Sequence, residues 1–162
     1  MPTNAPTRKH PCLRCLLLAF CCTLLSFLPL LLQDGGKLLF MSDYLEQQIP
    51  FGMYINESVK SGQVYWSWGM DLGTNFIGAF SFYLLGSPFF WLSMVVPARL
   101  MPWAMVPLLC LKMAVAGGGG YLWARRWVRD ETWSMLAGCL YAFSGFSIYN
   151  IFFNHFLDVV AL

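Results

Sequence analysis

Apolar residues in this chain gather into long unbroken runs and do not alternate with polar ones. Four runs stand out: Leu16 to Leu32, Phe76 to Val96, Trp103 to Trp123 and Thr132 to Phe152. Each approaches the roughly 20 residues that a helix needs to cross about 30 Å of hydrocarbon. In lipid a single segment satisfies its backbone only as a helix, and runs this continuous lack the alternation of a barrel strand. The pattern predicts an all-α integral membrane protein, a multi-span helical bundle. Polar residues collect after the first run, in a long loop over residues 33–75 that is predicted to carry amphipathic helices at the membrane interface.

Composition agrees with this class. Hydrophobic residues make up 58% of the chain and charged residues 11%, whereas a soluble domain is about a quarter charged. The few charges set the expected topology. Arg8, Lys9 and Arg14 precede the first run with no acid among them, which predicts a cytoplasmic tail over residues 1–11 and a first span over 12–32. The sequence after that span, Gln33-Asp34-Gly35-Gly36, offers no small-x-small cleavage site, so the span reads as an uncleaved anchor. The loop then emerges outside. It holds Asp34, Asp43, Glu46, Glu57 and Asp71 against Lys37 and Lys60, and Trp66 and Trp68 suit the headgroup level.

Arg125, Arg126 and Arg129 belong in the cytoplasm by the same rule, which requires one of the three preceding runs not to cross. The run from Phe76 is interrupted by Gly86-Ser87-Pro88 and stopped by Pro97, so residues 76–98 read as two short interfacial helices, with a second span as the alternative. Three crossings result. Residues 103–123 run inward, 124–131 form a cytoplasmic loop, 132–153 run outward, and 154–162 begin an outer loop or a further span. Asn154, His155 and Asp158 then share the outer face with Asp43. The alternative is a four-span protein with Arg125 outside.

Several chemistries find no support. Cys12, Cys15, Cys21, Cys22, Cys110 and Cys139 lie in or beside apolar runs. Cys12-x-x-Cys15 has redox or zinc spacing but no second ligand pair. Asn56-Glu57-Ser58 matches a glycosylation acceptor, a pattern too common to use alone. A net charge of +2 without a basic face interleaved with aromatics gives no reason to expect nucleic acid as a partner.

Two features inside the third run carry more weight. Lys112 sits near its middle, where a charge costs on the order of 2.5 to 3.5 kcal/mol on insertion scales and therefore needs a partner. Pairing with an acid from a neighbouring span and reaching a lipid phosphate are both open to it; a snorkelling side chain is the plainer reading. Gly117 to Gly120 follow, and are read as a surface for close helix approach.

Met41-Ser42-Asp43-x-x-x-Gln47 after a first span resembles the bacterial membrane protein YfhO family. The resemblance continues through Gly62 with Trp66-Ser67-Trp68, Gly73-Thr74-Asn75, Tyr83-x-x-x-Ser87-Pro88, Leu111-Lys112-Met113, Tyr141-Ala142-Phe143-Ser144-Gly145-Phe146, and Asn154 with Phe156-Leu157-Asp158. It implies a GT-C-like fold and the activity of a polyprenol-dependent glycosyltransferase in the bacterial cell membrane. The implied partners are a polyprenyl-phosphate sugar donor, an envelope polymer acceptor such as teichoic acid, and the lipid bilayer. Family members are much longer, so the chain is expected to be the amino-terminal part of such a protein.

The implied transfer needs a base to take the acceptor hydroxyl's proton while oxygen attacks the anomeric carbon. By resemblance to the wider superfamily, whose catalytic acid follows the first span, Asp43 is the candidate base. Glu46 is its neighbour on nearly the same helical face, and Gln47 matches the motif as a ligand for sugar hydroxyls. The plain alternative makes Asp43 a helix cap in a variant capping box with Glu46, in a non-catalytic scaffold or lipid-binding subunit. Gln48 reads as the polar face of an interfacial helix. Lys112, Asn154, His155 and Asp158 are the remaining substrate-binding candidates. No cofactor is certain; a divalent cation near His155 is the one candidate, and no metal ligand set is assigned.

Overall fold

The computed structural model describes residues 10–70 and 72–162; Arg8, Lys9 and Asp71, which entered the charge argument, lie outside them. Helix α1 runs Pro11–Gln33, with Pro11 in its first turn, where its missing N–H costs nothing. Leu13, Leu17, Leu25 and Leu32 stay largely exposed along it, as suits a helix facing lipid.

The longest helix, α5, covers Met101–Ala124 and is the most enclosed. At 24 residues it is about 36 Å long. It lies antiparallel to α1: Trp103 Nε1 donates to Gly35 O at one end, and Cys15 Sγ donates to Gly117 O towards the other. That second contact gives Cys15 a packing role rather than a redox one. Helices α1 and α5 are the two that are long and apolar enough to cross a membrane among the described residues.

Small residues draw α5 against its neighbours. Gly117 faces Ala19 of α1 and Ala142 of α6 (Glu131–Ala142), and Gly118 faces Leu16. Gly120 meets Gly138, whose own added Cβ would collide with the carbonyl of Gly117 and stand 2.8 Å from Tyr121 N. Backbones approach this closely only without side chains between them.

The loop after α1 folds back on the other half of α5. A π-helical turn over Tyr44–Gln48 leads into α2, Ile49–Ser61, which ends at Gly62 with φ 76°. The positive φ lets Gly62 and Gln63 both donate back towards Ser58, closing the helix. One face of α2 is buried through Ile49, Gly52, Ile55 and Asn56. Asn56 Nδ2 donates to Ser93 O and Val96 O, each at 3.3 Å, and Asn56 is fully buried. The glycosylation pattern is therefore part of the interior.

A two-residue ribbon follows, β1 (Trp66–Ser67) antiparallel to β2 (Thr74–Asn75). Asn75 Oδ1 then accepts from Gly78 N to start α3, Phe76–Phe80, which continues as a π-helical turn to Leu85. The chain restarts at Ser87, whose Oγ accepts from Phe90 N, as α4, Pro88–Leu92. The two helical pieces meet at 91°. Pro88 fixes the backbone and removes a donor at the break, so the capped restart is the local solution.

The last apolar run differs from the continuous rod its length suggested. Helix α6 starts cleanly, with Asp130 accepting from Trp133 N, but stops at Ala142, only 12 residues and about 18 Å on. Ser144 caps a new short helix, α7 (Gly145–Tyr149), turns fill 150–155, and α8 covers Phe156–Ala161. Residues 132–153 thus hold no single helix of spanning length. The Ser144-Gly145 pair explains it, since a serine hydroxyl that accepts from N–H three residues on ends one helix and begins another.

Candidate functional site around Lys112 and the Asp43 turn

Lys112 lies eleven residues into α5 and twelve from its end, hence about 16 to 18 Å from either. It is 3% exposed. Its ammonium donates to Asn154 O at 2.8 Å and Asn154 Oδ1 at 3.0 Å, and stands 2.7 Å from Asp158 Oδ1. The last contact is an ion pair, which matches the buried ammonium in charge. Phe89, just past the bend, closes the remaining side with its ring centre 5.5 Å away.

Asn154 and Asp158 therefore sit against the middle of α5 and not at the outer end of a span. The early stop of α6 is the cause: 18 Å of rise brings the chain level with Gly117, and the turns after Tyr149 carry it to Lys112. Two ammonium donors are engaged by Asn154 and the charge is matched by Asp158, and the free space beside Lys112 is about 10 Å³, at the lower limit for one water. A sugar phosphate does not reach Lys112 in this conformation.

His155 points a different way. Its Nδ1 lies 3.3 Å from Gln48 Nε2, and Phe82, Tyr83 and Phe156 surround the ring with centroids 4.8, 5.2 and 4.4 Å away. Gln48 is 1% exposed, and its Oε1 has no partner. Sequence reasoning placed Gln48 on a solvated face. The signal that was available is the spacing Tyr44, Gln48, Gly52, Ile55, which is one buried helical stripe.

Asp43 begins the π-helical turn and is half-buried; Glu46 is exposed. The capping-box arrangement is not formed. Asp43 makes no side-chain cap bond, and Ser42 O instead accepts from Leu45 N and Glu46 N. Asp43 Oδ1 accepts from Gln47 Nε2 at 3.4 Å. The π-type winding widens the turn, bringing the residue four on into reach and swinging Glu46 off the face that holds Asp43. Neither carboxylate has a cation within ion-pair distance among the described residues.

Among the described residues no three His, Cys, Asp or Glu side chains come together as a metal set. The divalent cation considered near His155 has no ligand group there, since that ring is packed among aromatics. Residues 15–162 match the family model described as bacterial membrane protein YfhO.

The chain belongs to the YfhO family.

For this YfhO-family chain the membrane setting follows from the family and from α1 and α5 together. No curated protein and no solved structure matches it. The order of motifs that carried the resemblance is thus distributed over one connected structure. Met41 to Gln47 form the turn, Tyr83 to Pro88 form the bend, Leu111 to Met113 the centre of α5, and Asn154 to Asp158 the segment that closes on Lys112.

Proposed function

We propose that this YfhO-family protein acts in glycosyl transfer at the membrane, moving a sugar from a polyprenyl-phosphate carrier to an envelope polymer such as teichoic acid on the outer face. Asp43 is the base in this reading. The observation that carries it is a half-buried carboxylate that, among the described residues, is used neither as a helix cap nor in an ion pair and accepts a side-chain hydrogen bond from Gln47. A carboxylate so placed is free to take the acceptor hydroxyl's proton as that oxygen attacks the anomeric carbon and phosphate departs on the opposite face. Gln47, hydrogen-bonded to Asp43, orients the carboxylate and offers its amide to sugar hydroxyls. Lys112, Asn154 and Asp158 serve as the interior brace that holds the turn's surroundings in place, and His155 connects that brace to the turn through Gln48.

The deciding experiment measures label transfer from a polyprenyl-phosphate sugar into polymer, in membranes that contain the protein or its variants. Asp43→Asn should lower transfer by about 10² or more, while Glu46→Gln stays within a few fold and both insert normally. Full transfer by Asp43→Asn overturns the assignment. The closed cluster around Lys112, with no room for a ligand, supports the second reading, a non-catalytic membrane scaffold, and retained transfer in that variant is its signature.

A further inference from the structure

Two π-helical turns occur among the described residues, Tyr44–Gln48 and Ser81–Leu85, and both pack on one imidazole. From the first, Gln48 Nε2 reaches His155 Nδ1 at 3.3 Å. From the second, Phe82 and Tyr83 set their rings against it, with centroids 4.8 and 5.2 Å away. π-type winding is rare and recurs at functional sites, and here it coincides with contacts made deep in the protein. His155 is 9% exposed and Gln48 is 1% exposed.

An amide nitrogen only donates, so Nδ1 is the acceptor and the neutral ring keeps its proton on Nε2. Gln48 Oε1 has no partner, which leaves His155 as the side chain that fixes this amide among the described residues. Gln47 is next to it in the same turn and donates to Asp43 Oδ1 at 3.4 Å. That distance lies beyond the roughly 2.7 to 3.2 Å of well-formed N–H···O bonds, so a small change in the turn makes or breaks it.

We propose that His155 is a positioning residue for Asp43, acting through Gln48, an inference that rests on Asp43 being the base. The imidazole fixes Gln48, Gln48 holds the turn, and the turn aims the Asp43 carboxylate together with the Gln47 amide. Loss of the contact misplaces the base and leaves the binding of the lipid-linked donor unchanged. It is read in kcat and not in KM.

The test separates kcat from KM in the label-transfer measurement and adds carbodiimide labelling of Asp43, followed by mass spectrometry. Gln48→Met removes the amide at nearly constant volume, and His155→Gln carries the amide out towards the position of Nε2. Each should lower kcat by about tenfold or more with KM unchanged, since a displacement of about 1 Å costs up to about 10². The two together should lower it no further than either alone. His155→Asn keeps a hydrogen-bonding atom where Nδ1 stands and should recover most of the loss. Labelling of Asp43 should rise in Gln48→Met and His155→Gln, because the carboxylate is released from Gln47. Additive losses in kcat, an asparagine variant as slow as the glutamine one, or labelling that does not change overturns the proposal. Full kcat in Gln48→Met beside an inactive Asp43→Asn overturns the positioning role alone, whereas full transfer by Asp43→Asn removes the base and its positioning together. If the His155 variants do not fold, kcat and labelling of Gln48→Met decide.

Discussion

Gln48 and His155, 107 positions apart in the chain, meet side chain to side chain at 3.3 Å. Their contact joins the turn that carries Asp43 to the segment that holds Lys112. The contact predicts that the two regions are energetically coupled.

That coupling is measurable. Gln48→Ala and His155→Ala should each destabilise the protein by about 1 to 2 kcal/mol, and the double variant should cost less than their sum by about 1 kcal/mol. Thermal or denaturant unfolding in detergent provides the cycle. Strict additivity would mean that the two side chains do not interact.

The ion pair at Lys112 makes a sharper prediction. Lys112→Met alone leaves Asp158 in the interior without its counter-charge, at a cost of about 3 kcal/mol or more, whereas Lys112→Met with Asp158→Leu should recover much of that loss. Unfolding midpoints of the two variants check it. A double variant as unstable as the single one would place the energy in the Asn154 hydrogen bonds instead.

Two glycines on one helix pair should behave oppositely. Gly138→Ala puts a methyl group against the Gly117 carbonyl and Tyr121 N, so α5 and α6 must separate, costing about 1 to 3 kcal/mol. Gly119→Ala meets open space and should be neutral or stabilising by up to about 1 kcal/mol. Melting temperatures of both variants decide.

Asn56 should remain unmodified in a host that glycosylates exported loops, because its amide is fully buried and bonded to Ser93 O and Val96 O. Mass analysis of the purified protein reads this directly. Asn56→Leu should also destabilise it by about 1 to 3 kcal/mol, since two carbonyl groups lose their donor.

Much of the frame was legible in the sequence. The lengths of the apolar runs that became α1 and α5 were enough, because hydrocarbon thickness leaves a helix no other choice. The break at Gly86-Ser87-Pro88 was visible for a similar reason: proline and a capping serine act locally. The fate of Thr132 to Phe152 was not. Its composition is that of a span, and a capping serine followed by glycine is a weaker signal than one followed by proline, so the stop at Ser144 that sends Asn154 to Lys112 did not stand out. For the site, the need of Lys112 for a partner followed from the cost of a bare charge in lipid, but the identity of that partner required the turns after Tyr149. The relation of Asp43 to Glu46 was read on α-type winding, and the sequence held no signal that the turn is wound as a π-type one. Gln48 was assigned by polarity when its spacing from Tyr44 placed it inside.

The half-length of α6 bears on how the chain enters a membrane at all. A rod of about 18 Å covers little more than half the hydrocarbon, so lipid by itself gives it no stable resting depth. It needs a partner already in place, and the glycine-lined flank of α5 supplies one. The expected order of assembly is therefore the α1 and α5 pair first, with the short rod settling afterwards onto that prepared surface.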